Sequence, residues 1–415
     1  MELEVYFKFI LSFALILIAA RLGGEVAERY LKQPPVLGEL VAGIIISPFA
    51  LGGLIGDPII LNFATIQNPF GLQGEFNIME IISQIAVVAL LFVAGVETDV
   101  RAFLRYGLTG STVALGGVIL PFVFGYLITW GLYPAIGMAG FLIMGATLTA
   151  TSIGLTVRIL MDMRRLQTRE GTTILVGAVI DDIIGIVILS VVVMMAKPGG
   201  ELDIGQALQI GVIGFAVWAA LLIIGVRFHK YISKIFLNPF KRSGTMPIFA
   251  LLIGFIIAYL VTLVELHPVV GAYVAGLMFA ATEEKEKILD GVRPIMLFLA
   301  PFFFCYLGMQ VDLHLSSIAW IIAVILIVLA TIGKIIGCYI PAKLVGRLSH
   351  NSSMIVGVGM VPRGEVGLII ASAGLLAIGE PFRELFAAAV LVSIVTTLIT
   401  PAMLKPLFKR QRASG

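Results

Sequence analysis

The chain has 415 residues, 59% of them hydrophobic and 13% charged, with a mean hydropathy of +1.07 and a formal net charge of +3. A soluble protein carries about 25% charged residues, so this composition excludes a soluble globular domain and points to an integral membrane protein made mostly of helices. The apolar runs are long and continuous, which excludes the alternation of an outer-membrane barrel. Nothing in the sequence suits nucleic-acid binding.

Taken in order, the apolar runs predict thirteen spans, at about 5–22, 35–51, 78–96, 109–130, 135–158, 172–196, 204–227, 246–264, 267–282, 294–309, 316–341, 352–378 and 384–404. The first lacks the small-residue cleavage site of a leader peptide and is read as a retained span. With the N-terminus outside, 23 of the 28 Lys and Arg residues fall on inner connections or the C-terminal tail, Arg158 among them. Only Lys8, Lys197 and Arg383 fall outside, as the excess of positive charge on cytoplasmic loops requires. Lys334 and Arg363 lie within spans and become the natural partners of buried carboxylates. Cys305 and Cys338 sit in apolar runs without partner spacing and read as small core residues, neither disulfide nor metal site.

An internal repeat emerges along the chain. Pro35-Val-Leu-Gly38-Glu-Leu-Val41-Ala42-Gly43 opens the second span, and Pro268-Val-Val-Gly271-Ala-Tyr-Val274-Ala275-Gly276 opens the ninth. The spans that follow each end alike, in Gly95-Val-Glu-Thr-Asp99 and Gly308-Met-Gln-Val-Asp312. An offset of seven spans makes the two copies antiparallel across the membrane, the arrangement of secondary transporters with a binding site between the halves. The same offset relates span 5, with Thr147-Leu-Thr149-Ala-Thr151-Ser152 at mid-depth, to span 12, with Met360-Val-Pro362-Arg363-Gly364-Glu365. Proline removes a backbone donor, glycine loosens the chain, and hydroxyls satisfy freed backbone groups, so both spans are expected to break there. For Thr149, Thr151 and Ser152 the plainer reading is a hydroxyl bonding back to its own helix; Arg363 and Glu365 most simply offset each other's charge.

The centre of the chain is Gly177-Ala-Val-Ile-Asp181-Asp182-Ile-Ile-Gly185, in the middle of the sixth span. A charge without a partner at that depth costs at least about 2.5–3.5 kcal/mol, so two adjacent carboxylates mark a site for a cation or proton. On a helix they point about 100° apart and have different roles. Asp181 shares a face with Gly177 and Gly185, where small residues would let a charged partner approach. Asp182 then faces elsewhere, toward an aqueous cavity. Close carboxylates titrate as a coupled pair, and their oxygens suit a hard monovalent cation, so cation and protons compete for one site. Lys334, within Thr331-Ile-Gly-Lys334-Ile-Ile-Gly337, can reach such an acid; otherwise it snorkels to the interface. Glu39 and Glu97 stand within a turn or two of a loop and read as hydrated.

Ala150-Thr-Ser-Ile-Gly154, Val179-Ile-Asp-Asp182, Leu299-Ala-Pro-Phe-Phe303, Gly333-Lys-Ile-Ile-Gly337 and Pro362-Arg-Gly-Glu-Val-Gly-Leu368 follow one another in this chain. With them it resembles bacterial and archaeal sodium/proton antiporters of the second cation–proton antiporter family, close to the NapA type, over essentially all its spans. The resemblance implies an all-α polytopic fold with inverted repeats and two crossed broken helices, as in NhaA-type antiporters. It implies a homodimer in the cell membrane, its C-terminus cytoplasmic. Dimerisation segments at 1–108 and 231–313 would flank a transport core at 109–200 and 314–405, with a linker helix at 201–230 and a tail at 406–415. It makes Asp182 the principal ion-binding carboxylate, pairs Asp181 with Lys334, and carries over Thr149 and the Arg363–Glu365 pair, with Thr151 and Ser152 supporting. No cofactor is implied; the ligands are Na⁺ or another monovalent cation and protons. The short tail leaves no expectation of a nucleotide-binding regulatory domain. Asp-Asp, where electroneutral relatives have Asn-Asp, favours electrogenic exchange. Adjacent acids on one helix do not suit an intramembrane aspartyl protease, and two acids against one lysine do not suit an organic-anion carrier. K⁺/H⁺ exchange stays open, since K⁺ and Na⁺ both take oxygen ligands.

Overall fold

The computed structural model describes residues 2–51, 65–67, 75–196, 204–240, 244–264, 266, 268–309, 317–363 and 365–413. It is helical almost throughout: α1 Glu2–Arg29, α2 Pro35–Ile46, α3 Ile78–Glu97, α4 Val100–Arg105, α5 Gly107–Leu132, α6 Gly137–Thr147, α7 Ile153–Asp162, α8 Arg169–Ala196 and α9 Ile204–Ile232. The second half holds α10 Met246–Thr262, α11 Pro268–Ala280, α12 Lys285–Met309, α13 Ser317–Leu344, α14 His350–Gly359, α15 Glu365–Ile378 and α16 Arg383–Ala413. Two three-residue strands, Thr65–Gln67 and Glu75–Asn77, pair antiparallel before α3 and were not anticipated. Among the described residues six helices are by themselves long and apolar enough to cross a membrane, beginning with Phe9–Arg29 and ending with Arg383–Gln411.

The helices form two packed groups. In one, α2, α3, α10, α11 and α12 lie against each other, with α1 along α2 and α12. In the other, α5 and α13 run side by side, and α6, α8, α14, α15 and α16 gather around them. The repeat read from the sequence governs the first group. A Cβ added at Gly43 of α2 would overlap the backbone of Cys305 and Gly308 on α12; one added at Gly276 of α11 would overlap Phe92 and Gly95 on α3. The two copies of the motif therefore make the same backbone-to-backbone contact with each other's partner helix. Without side chains at the crossing, helices approach closely enough for dispersion to hold them where lipid offers no hydrophobic drive.

Both expected breaks are present. The fifth predicted span divides into α6 and α7 around residues 148–152, and the twelfth into α14 and α15, with residues 360–363 outside either helix. Each is an interruption of backbone hydrogen bonding, so the freed groups need partners from elsewhere.

Candidate functional site

The two breaks satisfy one another. Ser152 N–H donates to the Pro362 carbonyl at 2.8 Å, Thr151 Oγ1 to Met360 at 3.2 Å, and Thr156 Oγ1 to Gly359 at 3.1 Å. Arg363 donates in the other direction, from Nε and Nη2 to Leu148 O at 3.2 and 2.8 Å, with further bonds to Val361 and Ala330 carbonyls at 3.1 Å. Its guanidinium is thus held, 1% exposed, by Leu148 and Val361 at the C-terminal ends of α6 and α14, whose partial negative charge favours a cation, and by Ala330 in the middle of α13. Glu365 opens α15, but its side chain lies outside the described residues.

Beside this crossing α8 presents the acid pair. Lys334 Nζ of α13, completely buried, bonds Asp181 Oδ1 and Oδ2 at 3.1 and 3.3 Å and the Thr149 carbonyl at 2.6 Å. A lysine with no exposure does not snorkel; its charge is met inside by one carboxylate and one freed carbonyl. Thr149 takes part through its backbone, while its hydroxyl turns back to Ala146 O at 2.8 Å, as the plainer reading has it. Ser152 Oγ caps α7, accepting from Leu155 N–H at 3.4 Å. Asp182 is buried too, 5% exposed.

The glycines that admit Lys334 are not those beside Asp181. A Cβ at Gly177 or Gly185 would meet ordinary contacts at 3.4–3.5 Å. The close approach is between α5 and α13, where a Cβ at Gly116 or Gly337 would overlap the other's carbonyl. Next to it, a Cβ at Gly117 would stand 3.4 Å from Lys334 Cε and Nζ, so the lysine stem crosses α5 at a position without a side chain.

Two expectations fail at the other end of α7. Glu39 is 1% exposed and not hydrated, and Arg158, counted among the loop cations, is buried inside a helix. Arg158 Nη2 meets Glu39 Oε1 at 3.1 Å and its Nε meets Asp162 Oδ1 at 3.0 Å, while Asp162 Oδ2 accepts from Val36 N–H at 3.4 Å. This cluster ties α7, which also packs on α3 and α8, to the first turns of α2. Beside it, Arg293 meets Glu97 at 2.6 Å and Gln167 Nε2 donates to Glu97 O at 2.9 Å. The signal available in sequence was the i,i+4 spacing of Arg158 and Asp162, with a glutamate five residues after Pro34 in an apolar run.

The sequence matches the family of transmembrane sodium/hydrogen exchangers over residues 7–410. The chain belongs to this family. It is 34% identical to the high-affinity Na⁺/H⁺ antiporter NhaS3 of Synechocystis sp., covering 96% of this chain and 90% of that one. It is 35% identical to the Na⁺/H⁺–K⁺ antiporter GerN of Bacillus cereus, covering 97% of each. Among solved structures, the sodium proton antiporter MjNhaP1 of Methanocaldococcus jannaschii superposes with a TM-score of 0.64 at 17% identity, over 97% of this chain and 96% of that one, a likeness of fold. As a member of that family the exchanger is a membrane transporter and not an enzyme.

Proposed function

We propose that this exchanger carries Na⁺ against H⁺ by alternating access, with the cation and protons competing for Asp182 and Asp181. The observation that carries the reading is the fully buried Lys334–Asp181 pair beside Asp182, at the crossing of two interrupted helices. In that arrangement Asp182 is the principal cation ligand and Thr149 supplies a carbonyl at the break. Arg363 fixes the crossing without taking the ion. The adjacent acids and the lysine favour the NapA-like type of the second cation–proton antiporter family and charge-moving exchange. Thirteen spans follow if each interrupted pair, α6–α7 and α14–α15, counts as one crossing and the six-residue α4 is too short to be one. The two packed groups support a dimerisation unit around α1–α3 and α10–α12 and a transport core around α5–α8 and α13–α16. The protein then works as a homodimer in the cell membrane with its basic face and C-terminus inside. K⁺ stays a second substrate to test, because GerN is named for potassium as well as sodium.

Asp182→Asn should abolish exchange while leaving a folded protein. The measurement is the dissipation of an imposed pH gradient in proteoliposomes on adding Na⁺, K⁺ or Li⁺, at matched protein density. Unchanged dissipation by the variant would remove Asp182 from the site.

A further inference from the structure

Away from Asp181, Asp182 and Lys334, a cavity of about 390 Å³ opens between three separate parts of the chain. The corner between α1 and α2 supplies Glu28, Lys32, Gln33 and the two prolines; the turn after α7 supplies Asp162 and Arg165; the end of α16 supplies Lys405, Phe408 and Lys409. Its size falls in the range of small-molecule sites.

Four cations therefore face two carboxylates, and one of those, Asp162, is committed to Arg158 and to the N–H of Val36 at the start of α2. Among the described residues Lys32, Lys405 and Lys409 have no ion pair. Arg165 is fixed with its guanidinium 5.0 Å over the Phe408 ring, which leaves its charge directed rather than mobile. Lys32 is held at φ +53°, a backbone conformation that glycine adopts more readily, so the chain sets an ammonium at the rim where a side chain is disfavoured. Gln33 is among the residues that line the cleft. Cations that only satisfied the positive charge bias of inner loops would spread into water. These converge from residues 32, 165, 405 and 409 on one open cleft.

We propose that this cleft binds a phosphate-bearing anion, which the lysines and Arg165 grip and which ties the α1–α2 corner to the ends of α7 and α16. A lipid headgroup and a soluble phosphate compound share that chemistry, and the test separates them. The purified full-length protein is melted in detergent with inorganic phosphate, with dihexanoyl phosphatidylglycerol or with dihexanoyl phosphatidylcholine, ionic strength being matched with chloride. A ligand that binds the folded state alone raises the melting temperature in proportion to its occupancy, so a rise of a few degrees is expected with a binding anion and none with the choline lipid. A response to phosphatidylglycerol alone assigns the cleft to lipid, and one to inorganic phosphate assigns it to soluble phosphate. The triple variant Lys32→Gln, Lys405→Gln, Lys409→Gln should lose the rise, and the corresponding arginine triple should keep it. Glu28→Gln, which removes an opposing charge without taking away a ligand, should lower the half-saturating concentration. No rise with either anion, an equal rise in the glutamine triple, or an unimproved response in Glu28→Gln would each overturn the proposal.

Discussion

At the scale of single residues, the site turns on how a buried lysine is compensated. Lys334 has Asp181 and the Thr149 carbonyl as partners and no exposure to water. On the proposed mechanism a cation draws Asp181 away, the ammonium loses its countercharge, and its proton leaves with the one displaced from Asp182. Two protons would then exchange for one Na⁺, moving net charge. Lys334→Gln should slow transport and weaken its dependence on voltage. It should also lower the melting temperature, because removing one partner of a buried pair costs about 3–5 kcal/mol. Proton flux driven by Na⁺ in liposomes, with and without a valinomycin-clamped potential, measures this. A wild type indifferent to the clamp would exclude the role given to Lys334.

At the scale of elements, two helix ends facing each other do what neither does alone. The α6–α7 and α14–α15 interruptions exchange hydrogen bonds through Ser152, Thr151, Thr156 and Arg363, so each break is stable only while the other is beside it. The far end of α7 is pinned differently, by Arg158 between Glu39 of α2 and its own Asp162. Arg158→Met should leave Glu39 buried without a countercharge and cost about 3–5 kcal/mol, whereas Glu39→Gln with Arg158→Met should recover part of that loss. Chemical or thermal unfolding of the two single variants and the double provides the cycle. Losses that simply add would mean the pair is not coupled and that α7 is held to α2 by packing alone. Since α7 packs on α2 and α3 of the first group and on α8 of the second, the same variants report on what resists movement between the groups.

At the scale of the whole molecule, the architecture rests on two quasi-equivalent glycine crossings, Gly43 with Gly308 and Gly95 with Gly276. Copies of one motif that make matching contacts with each other's partner helix build one frame, and the Asp pair lies in the second group beside it. The sidedness proposed for this frame follows from charge. A cysteine at Ala413 should be protected from an impermeant thiol reagent in intact cells, and one at Gln67 should be labelled, once Cys305 and Cys338 have been replaced. The reverse pattern would invert the topology.

The sequence alone determined the helical membrane class, because length, apolarity and scarcity of charge are properties of the chain and not of its packing. It also located the Asp pair, the two interruptions and the repeated glycine motif, since a carboxylate, a proline or a glycine in an apolar run carries a cost wherever the helix is placed. It did not determine which group meets which. That Thr149 serves through its carbonyl and not its hydroxyl, that Gly116, Gly117 and Gly337 rather than Gly177 and Gly185 let Lys334 through, and that Glu39 is buried against Arg158 were settled only by the tertiary structure. The reason is physical. Burial cost is written in residue type, but its compensation comes from atoms more than a hundred positions away, on helices whose neighbours and rotation are set by packing.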